Sequence, residues 1–267
     1  MSREKRSFAQ ETCVKSAGKA MQKTGMLWPG CRVAVAVSGG VDSFVLLQSL
    51  KIRQGIVPFH FEIMAIHLNP GFDEQSHAAL LPWLAKRGIP GHIEMTTYGP
   101  DAHSEKNLRR SACFRCSWLR RKRLFELCAQ YGVTHLALGH NADDLVQTFF
   151  MNLSRNGRVD GMSMNESFFG GGLQLIRPLL LVEKKFILKA AKQWELPIWA
   201  NACPSAGNTA RSSMGETLEH LYKVSKDSRR CIFNGLTRWQ LEKNSVAAAV
   251  GDEQPLPDAE ARDGVAD

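Results

Sequence analysis

Arg32-Val-Ala-Val-Ala-Val37, Ser38-Gly-Gly-Val-Asp-Ser43 and Phe44-Val-Leu-Leu-Gln-Ser-Leu50 follow one another without a break. The first run is short, apolar and valine-rich, the pattern of a strand buried on both faces. The last has apolar residues spaced for a helix packed on that strand. Between them stand Gly39 and Gly40, flanked by Ser38 and Ser43, with Val41 and Asp42 opening the helix. A strand, a glycine turn and a helix N-terminus together make an anion site. The glycines let the backbone approach closely, free N–H groups point at the anion, and the helix dipole favours negative charge. Ser38 and Ser43 add hydroxyl donors, and Asp42 is placed to hold a magnesium ion bridging phosphates. Neither G-x-x-x-x-G-K-[ST] nor G-x-G-x-x-G is present here, so this is neither a Walker A loop nor a dinucleotide loop.

Working outward, residues 7–26 read as an amphipathic helix ending before Pro29-Gly30. Residues 61–68, 92–97 and 134–138 read as further strands, and 74–86, 115–131 and 141–153 as helices. Strands alternating with helices imply an α/β fold with a doubly wound, mainly parallel sheet. In such sheets ligands sit beyond the carboxyl ends of the strands. Three segments fall there: the glycine loop, His67 to Gly71, and Gly139-His-Asn-Ala-Asp-Asp144. His67, Gly139 and His140 are candidate nucleotide contacts, Gly139 by giving adenine close backbone access. Asp144 is a candidate to share the magnesium with Asp42, while Asp143 reads equally well as a first-turn acid. Residues 154–173 show no periodicity and contain five glycines, which reads as a lid or binding loop. A short extended stretch at 176–180, a helix at 182–194 and two helices within 212–243 follow. A single domain is expected over residues 1–245, with its core at 31–200, and an acidic disordered tail over 246–267.

The 267 residues are 44% hydrophobic and 22% charged, enough to bury a sizeable core. No apolar run approaches the roughly 20 residues that span a bilayer, so no membrane partner is expected. Seven irregularly spaced cysteines argue against a disulfide framework and for a reducing, cytoplasmic setting. The net charge is +8, but residues 245–267 hold six acids against one base, leaving +13 on the first 244 residues. A body this basic suits a polyanion such as RNA. Arg109, Arg110, Arg115, Arg120, Arg121 and Arg123, together with Arg155 and Arg158, are candidate phosphate contacts. Trp118, in their midst, reads as a core residue.

Cys113-Phe-Arg-Cys116 opens a helix rich in arginine, and Cys203 lies in a later loop. A helix N-terminus and neighbouring arginines lower a thiol pKa, so these three are thiolate candidates. They could bind zinc with a histidine as fourth ligand, form a redox pair, or hold an iron–sulfur cluster with one iron open. Cys13, Cys31, Cys128 and Cys231 lie in apolar settings and read as packing residues.

S-G-G-x-D-S after a valine-rich strand resembles the PP-loop of the ATP pyrophosphatases, which transfer AMP from ATP to a carbonyl oxygen. With the central C-x-x-C leading into Leu-Arg-Arg, then G-H-x-x-D-D, R-P-L and a later cysteine, residues 8–240 resemble the tRNA 2-thiocytidine synthetase family. That resemblance implies a cytoplasmic enzyme that adenylates the C2 oxygen of an anticodon-loop cytidine and replaces it with sulfur. It implies ATP, magnesium and a [4Fe-4S] cluster on Cys113, Cys116 and Cys203, with tRNA and a sulfur donor (sulfide or a cysteine-desulfurase persulfide) as partners. It leaves room for a homodimer. Two features depart from the family pattern: Val41 stands where lysine is usual, and Cys203 is not part of a second C-x-x-C-like element. The alternatives are a lysidine-synthetase-like ligase, which needs no cysteines, and a nucleotide-binding redox or metal sensor.

Overall fold

The order of elements follows from where the chain can be capped and where it must turn. The computed structural model describes residues 5–105, 107, 111–200, 202–207 and 209–250, with side chains through Glu242. Helix α1 (Phe8–Thr24) opens on a reciprocal cap between Ser7 and Gln10 and ends at Gly25, φ +60°. Then come β1 (Arg32–Ala36), α2 (Val41–Gln54), β2 (Glu62–Asn69), α3 (Leu80–Lys86), β3 (Gly91–Met95), α4 (Tyr98–His103) and α5 (Ala112–Gln130). They are followed by β4 (His135–Ala137), α6 (Ala142–Asn156), β5 (Asn165–Phe168), β6 (Leu173–Ile176), α7 (Lys184–Gln193), α8 (Ala210–Tyr222) and α9 (Ser228–Val250).

The six strands form one sheet in the order β3-β2-β1-β4-β6-β5. All neighbours are parallel except the β5–β6 pair. The strand order reverses between β1 and β4, so the loop after β1 lies at the crevice where ligands of doubly wound sheets bind. Alternation along β1 divides the core in two. Val33 and Val35 face a large apolar cluster with Phe44, Leu47 and Leu50 of α2 and Ile187 of α7. Ala34 faces a smaller one, where Leu127 and Cys128 of α5 meet Ile66, Leu68 and Leu136. The first face carries α1, α2, α3, α6, α7 and the C-terminal helices; α5 is the one long helix described on the second.

The structure corrects several expectations. Helix α3 begins at Leu80 rather than Glu74. Residues 73–79 turn instead, because the Asn69 amide donates to Asp73 O at 2.8 Å and Gln75 N donates to the Asp73 carboxylate at 2.9 Å. Residues 154–173 are not a structureless loop. Helix α6 runs to Asn156, and β5 pairs antiparallel with β6 across a turn holding Phe169, Gly170 and Gly171 at positive φ. Four-residue strands with a polar edge carry too little alternation to be read from sequence. Helix α4 was not anticipated, and α9 runs to Val250, five residues into the expected tail. Residues 251–267 lie outside the described residues. No helix among the described residues is long and apolar enough to cross a membrane.

Candidate active site

The phosphate loop is shaped by its own serines and by a distant tryptophan. Ser43 Oγ donates to Gly40 O at 2.8 Å and accepts from Ser38 N at 3.2 Å. Gly39 has φ +88°, and a Cβ there would sit 2.2 Å from the Trp199 ring. Trp199 N also donates to Gly39 O at 3.2 Å, so the segment leading to Cys203 is fastened across the loop. Gly40 then opens α2 in an extended conformation, leaving first-turn N–H groups for an anion. The end of β4 presses on this turn: a Cβ on Gly139 would meet Ser43 N at 2.9 Å. Gly139 is thus required by packing against the loop.

Three carboxylates converge here with unequal roles. Asp42 accepts from Asn141 Nδ2 at 2.9 Å and from Lys184 Nζ at 2.5 Å. Asp144 accepts from Asn141 N at 3.0 Å and lies 3.4 Å from Arg211 Nη1. Burial pushes the Asp144 carboxyl up; the Asn141 N–H and the Arg211 charge offset this, while Asp42 adds to it. A divalent cation between Asp42 and Asp144 would relieve that cost, so the donor set fits magnesium. Asp143 is instead an anchor, accepting from Lys184 N at 2.7 Å and from Arg229 Nη2 at 2.6 Å. Lys184, Arg211 and Arg229 are functional candidates that the sequence reading missed. Each lies more than 60 residues from the one of Asp42, Asp143 and Asp144 that it meets, and no local spacing signals those pairings.

A cavity of about 360 Å³ opens beside the loop. Ser38, Asp42, Ser43, Gly139, His140 and Asp144 form one wall, and Ser117, Arg120 and Arg121 of α5 the other. A smaller one of about 150 Å³ lies between Gly40, His67, Asn69, Arg120 and Trp199. His67 donates from Nδ1 to Val37 O at 2.7 Å, and its buried Nε2 has no partner among the described residues. Burial holds the pKa of His67 down at about 4, and Val37 O opposes this. Burial, with Arg177, Arg211 and Arg121, lowers His140 to about 3. Both are neutral near pH 7, and Arg177 Nε donates to His140 Nδ1 at 3.3 Å.

Cys113 is exposed, and Cys116 and Cys203 are half-buried. Cys116 feels both other thiols: burial raises its pKa first, Arg120 lowers it, and Cys203 and Cys113 raise it further. The expected lowering at Cys116 is therefore overturned, because desolvation outweighs the arginine. Soft thiols coupled in this way at Cys116 suit iron–sulfur chemistry. Among the described residues no three His, Cys, Asp or Glu side chains stand ready to hold a single metal ion.

The candidate arginines are dispersed. Arg115 and Arg121 are exposed on α5, while Arg123 is committed to Glu94 at 2.8 Å and to Glu126 at 2.9 Å. Arg155 and Arg158 lie at the far end of α6, roughly 20 Å from its start by helix rise. Arg109 and Arg110 lie outside the described residues. Trp118 is 42% exposed and not a core residue, since no helix among the described residues covers its side of α5. Cys231 is also exposed, against expectation, while Cys13, Cys31 and Cys128 are buried.

A phosphate loop at the switch point of a parallel sheet, with paired carboxylates at its mouth, defines a PP-loop enzyme of the ATP-pyrophosphatase type. A family model described as a PP-loop domain matches residues 11–205. The tRNA-cytidine(32) 2-sulfurtransferase of Geobacter metallireducens is 30% identical over 225 residues, 84% of this chain and 88% of that protein. The protein of the same name from Albidiferax ferrireducens is 34% identical over 239 residues, covering 88% and 69%. Among solved structures, the U34-tRNA thiolase NcsA from Methanococcus maripaludis with its [4Fe-4S] cluster superposes with TM-score 0.69 at 24% identity, covering 86% of this chain and 80% of that one. The NH3-dependent NAD synthetase of Campylobacter jejuni shares the fold at TM-score 0.50 and 15% identity, over 94% and 99% of the two chains. The chain belongs to the tRNA 2-thiocytidine synthetase family of PP-loop enzymes.

Proposed function

We propose that this enzyme is an ATP-dependent tRNA sulfurtransferase that replaces the C2 oxygen of cytidine 32, the nucleoside named in its relatives, with sulfur. The observation that carries the reading is one shared cavity. Its walls bring together the phosphate loop and the helix that begins with Cys113 and Cys116. The loop amides and Ser38 hold the pyrophosphate leaving group, and Lys184 offsets its charge. Asp42 and Asp144 would hold magnesium, which supplies Lewis-acid stabilisation of the phosphates when bound. The C2 oxygen attacks the α phosphorus, pyrophosphate leaves, and sulfur then displaces AMP from C2. Cys113, Cys116 and Cys203 would hold a [4Fe-4S] cluster, which supplies an iron site open to sulfide when bound. His67 and the half-buried Trp199 enclose the adenosine side. The sulfur donor is sulfide, supplied directly or released from a persulfide by an external thiol that is oxidised to a disulfide, and the setting is the cytoplasm.

The test is iron and acid-labile sulfide on protein purified without oxygen, followed by nucleoside analysis of treated tRNA. Expected are about four irons and four sulfides per chain and the appearance of 2-thiocytidine. Cys203→Ala should lose both while retaining ATP binding. Full thiolation by that variant would exclude the three-thiolate site.

A further inference from the structure

Phe114, Trp118, Arg121 and Phe125 stand at i, i+4, i+7 and i+11, which makes them one stripe of α5. On a helix packed from both sides such a stripe is buried. Here Phe114 is 49% and Trp118 42% exposed. The reason lies in the fold. The β3-side flank of α5 is closed, with Arg123 on Glu94 and the Tyr131 hydroxyl 2.8 Å from His92 Nδ1. The opposite flank faces β6 and β5, where no helix among the described residues covers it. Phe125 marks that side by resting on Phe168 and Phe169, with ring centroids 5.3 and 5.7 Å apart. Between Phe125 and the first turn, Arg121 and Ser117 turn into the 360 Å³ cavity that ends on the phosphate loop.

We propose that this stripe is a stacking platform for single-stranded RNA. Bases of the anticodon loop beside the target cytidine lie on Trp118 and Phe114, and Arg121, Arg115 and Lys122 meet their phosphates. The proposal rests on the tRNA reading above and says where the substrate lies. Charge selects the occupant. The rings are interleaved with exposed cations, and Lys122 Nζ stands 6.0 Å from the Trp118 ring centroid. An apolar protein helix would have to desolvate those charges, whereas a nucleic-acid strand supplies an anion for each cation and a π-face for each ring. Position agrees. A strand lying along the stripe has the cavity beside it, so one unstacked base can turn in toward Asp42 while its neighbours stay on the rings.

The experiment measures binding of a fluorescein-labelled anticodon stem-loop to the full-length protein, with ATP affinity recorded in parallel. Trp118→Ala should weaken RNA binding roughly 5- to 150-fold, the effect of losing one stacked base. Trp118→Phe should retain most of the affinity, and neither should alter ATP affinity. The salt dependence should be unchanged in Trp118→Ala and shallower in Arg121→Ala, which removes a phosphate contact. If the wild type binds and thiolates tRNA while Trp118→Ala binds as tightly, the platform is refuted and the tRNA reading stands. A wild type that binds no tRNA overturns both. If Trp118→Ala instead turns a dimer into a monomer on sedimentation, the stripe is a contact between two copies and the proposal falls.

Discussion

Lys184 and Asp42 illustrate how much of this site is settled by single side chains. The loop carries Val41 and has no cation of its own, and Lys184 reaches Asp42 from the first turn of α7. Lys184→Met should lower kcat for AMP formation by about 10²- to 10³-fold, as when one charge-stabilising donor is removed. An unchanged rate in single-turnover assays would show that Lys184 serves only the fold. Asp42→Ala should abolish adenylation altogether, and retained tRNA-dependent ATP turnover would contradict its role. Gly39 makes a different prediction. Its positive φ and the Trp199 ring both exclude a side chain, so Gly39→Ala should cost about 1–3 kcal/mol in urea unfolding. Trp199→Ala should recover part of that loss in the double variant; strict additivity would mean that the contact is not the cause.

At the scale of elements, Arg229 of α9 grips Asp143, which in turn fixes the backbone of Lys184. Arg229→Ala should therefore destabilise the protein by about 1–3 kcal/mol, since it leaves a half-buried carboxylate short of one partner. It should also raise the KM for ATP, and an unchanged KM would mean that α9 does not position Lys184. This is also the scale at which the sequence was least informative. The loop at Ser38–Ser43, strands β1 to β4 and the helix start at Asn141 were legible because each rests on local chemistry: a buried valine run, a glycine turn, an amide at a helix start. Lys184, Arg211 and Arg229 were not, because an ion pair between residues far apart leaves no mark on either neighbourhood. Trp118 was misread for a related reason. A large aromatic on a helix reads as core, but whether it is buried depends on which other helices share its face.

Across the whole molecule, His67 and His135 are held at a pKa of about 4 and His140 at about 3. Burial is the first cause in each case. His77 and Arg120 add to it at His67, and Arg177, Arg211 and Arg121 at His140; the Trp28 ring packs on His135. The unfolded chain takes up these protons near pH 6.5, whereas the native state resists them. Their contribution to stability is thus complete above pH 6.5 and falls as the pH drops toward 4, by about 1–3 kcal/mol per group. The lowered Glu94 extends the loss below about pH 4.5, because its pairing with Arg123 is broken by protonation. Urea midpoints at pH 7 and pH 5 test this, and equal values would refute it.

The strap through Trp199 also has a consequence in time. The phosphate loop is synthesised early, at residues 38–43, but Lys184, Trp199 and Arg211 are made far later. A nascent chain that has reached the end of α6 holds β1, β2, β3 and β4, yet lacks the side chains that brace and neutralise the loop. Contacts of such sequence separation close late in folding. Nucleotide competence therefore arrives long after the loop itself is made, and a chain arrested before residue 199 carries the motif without the site.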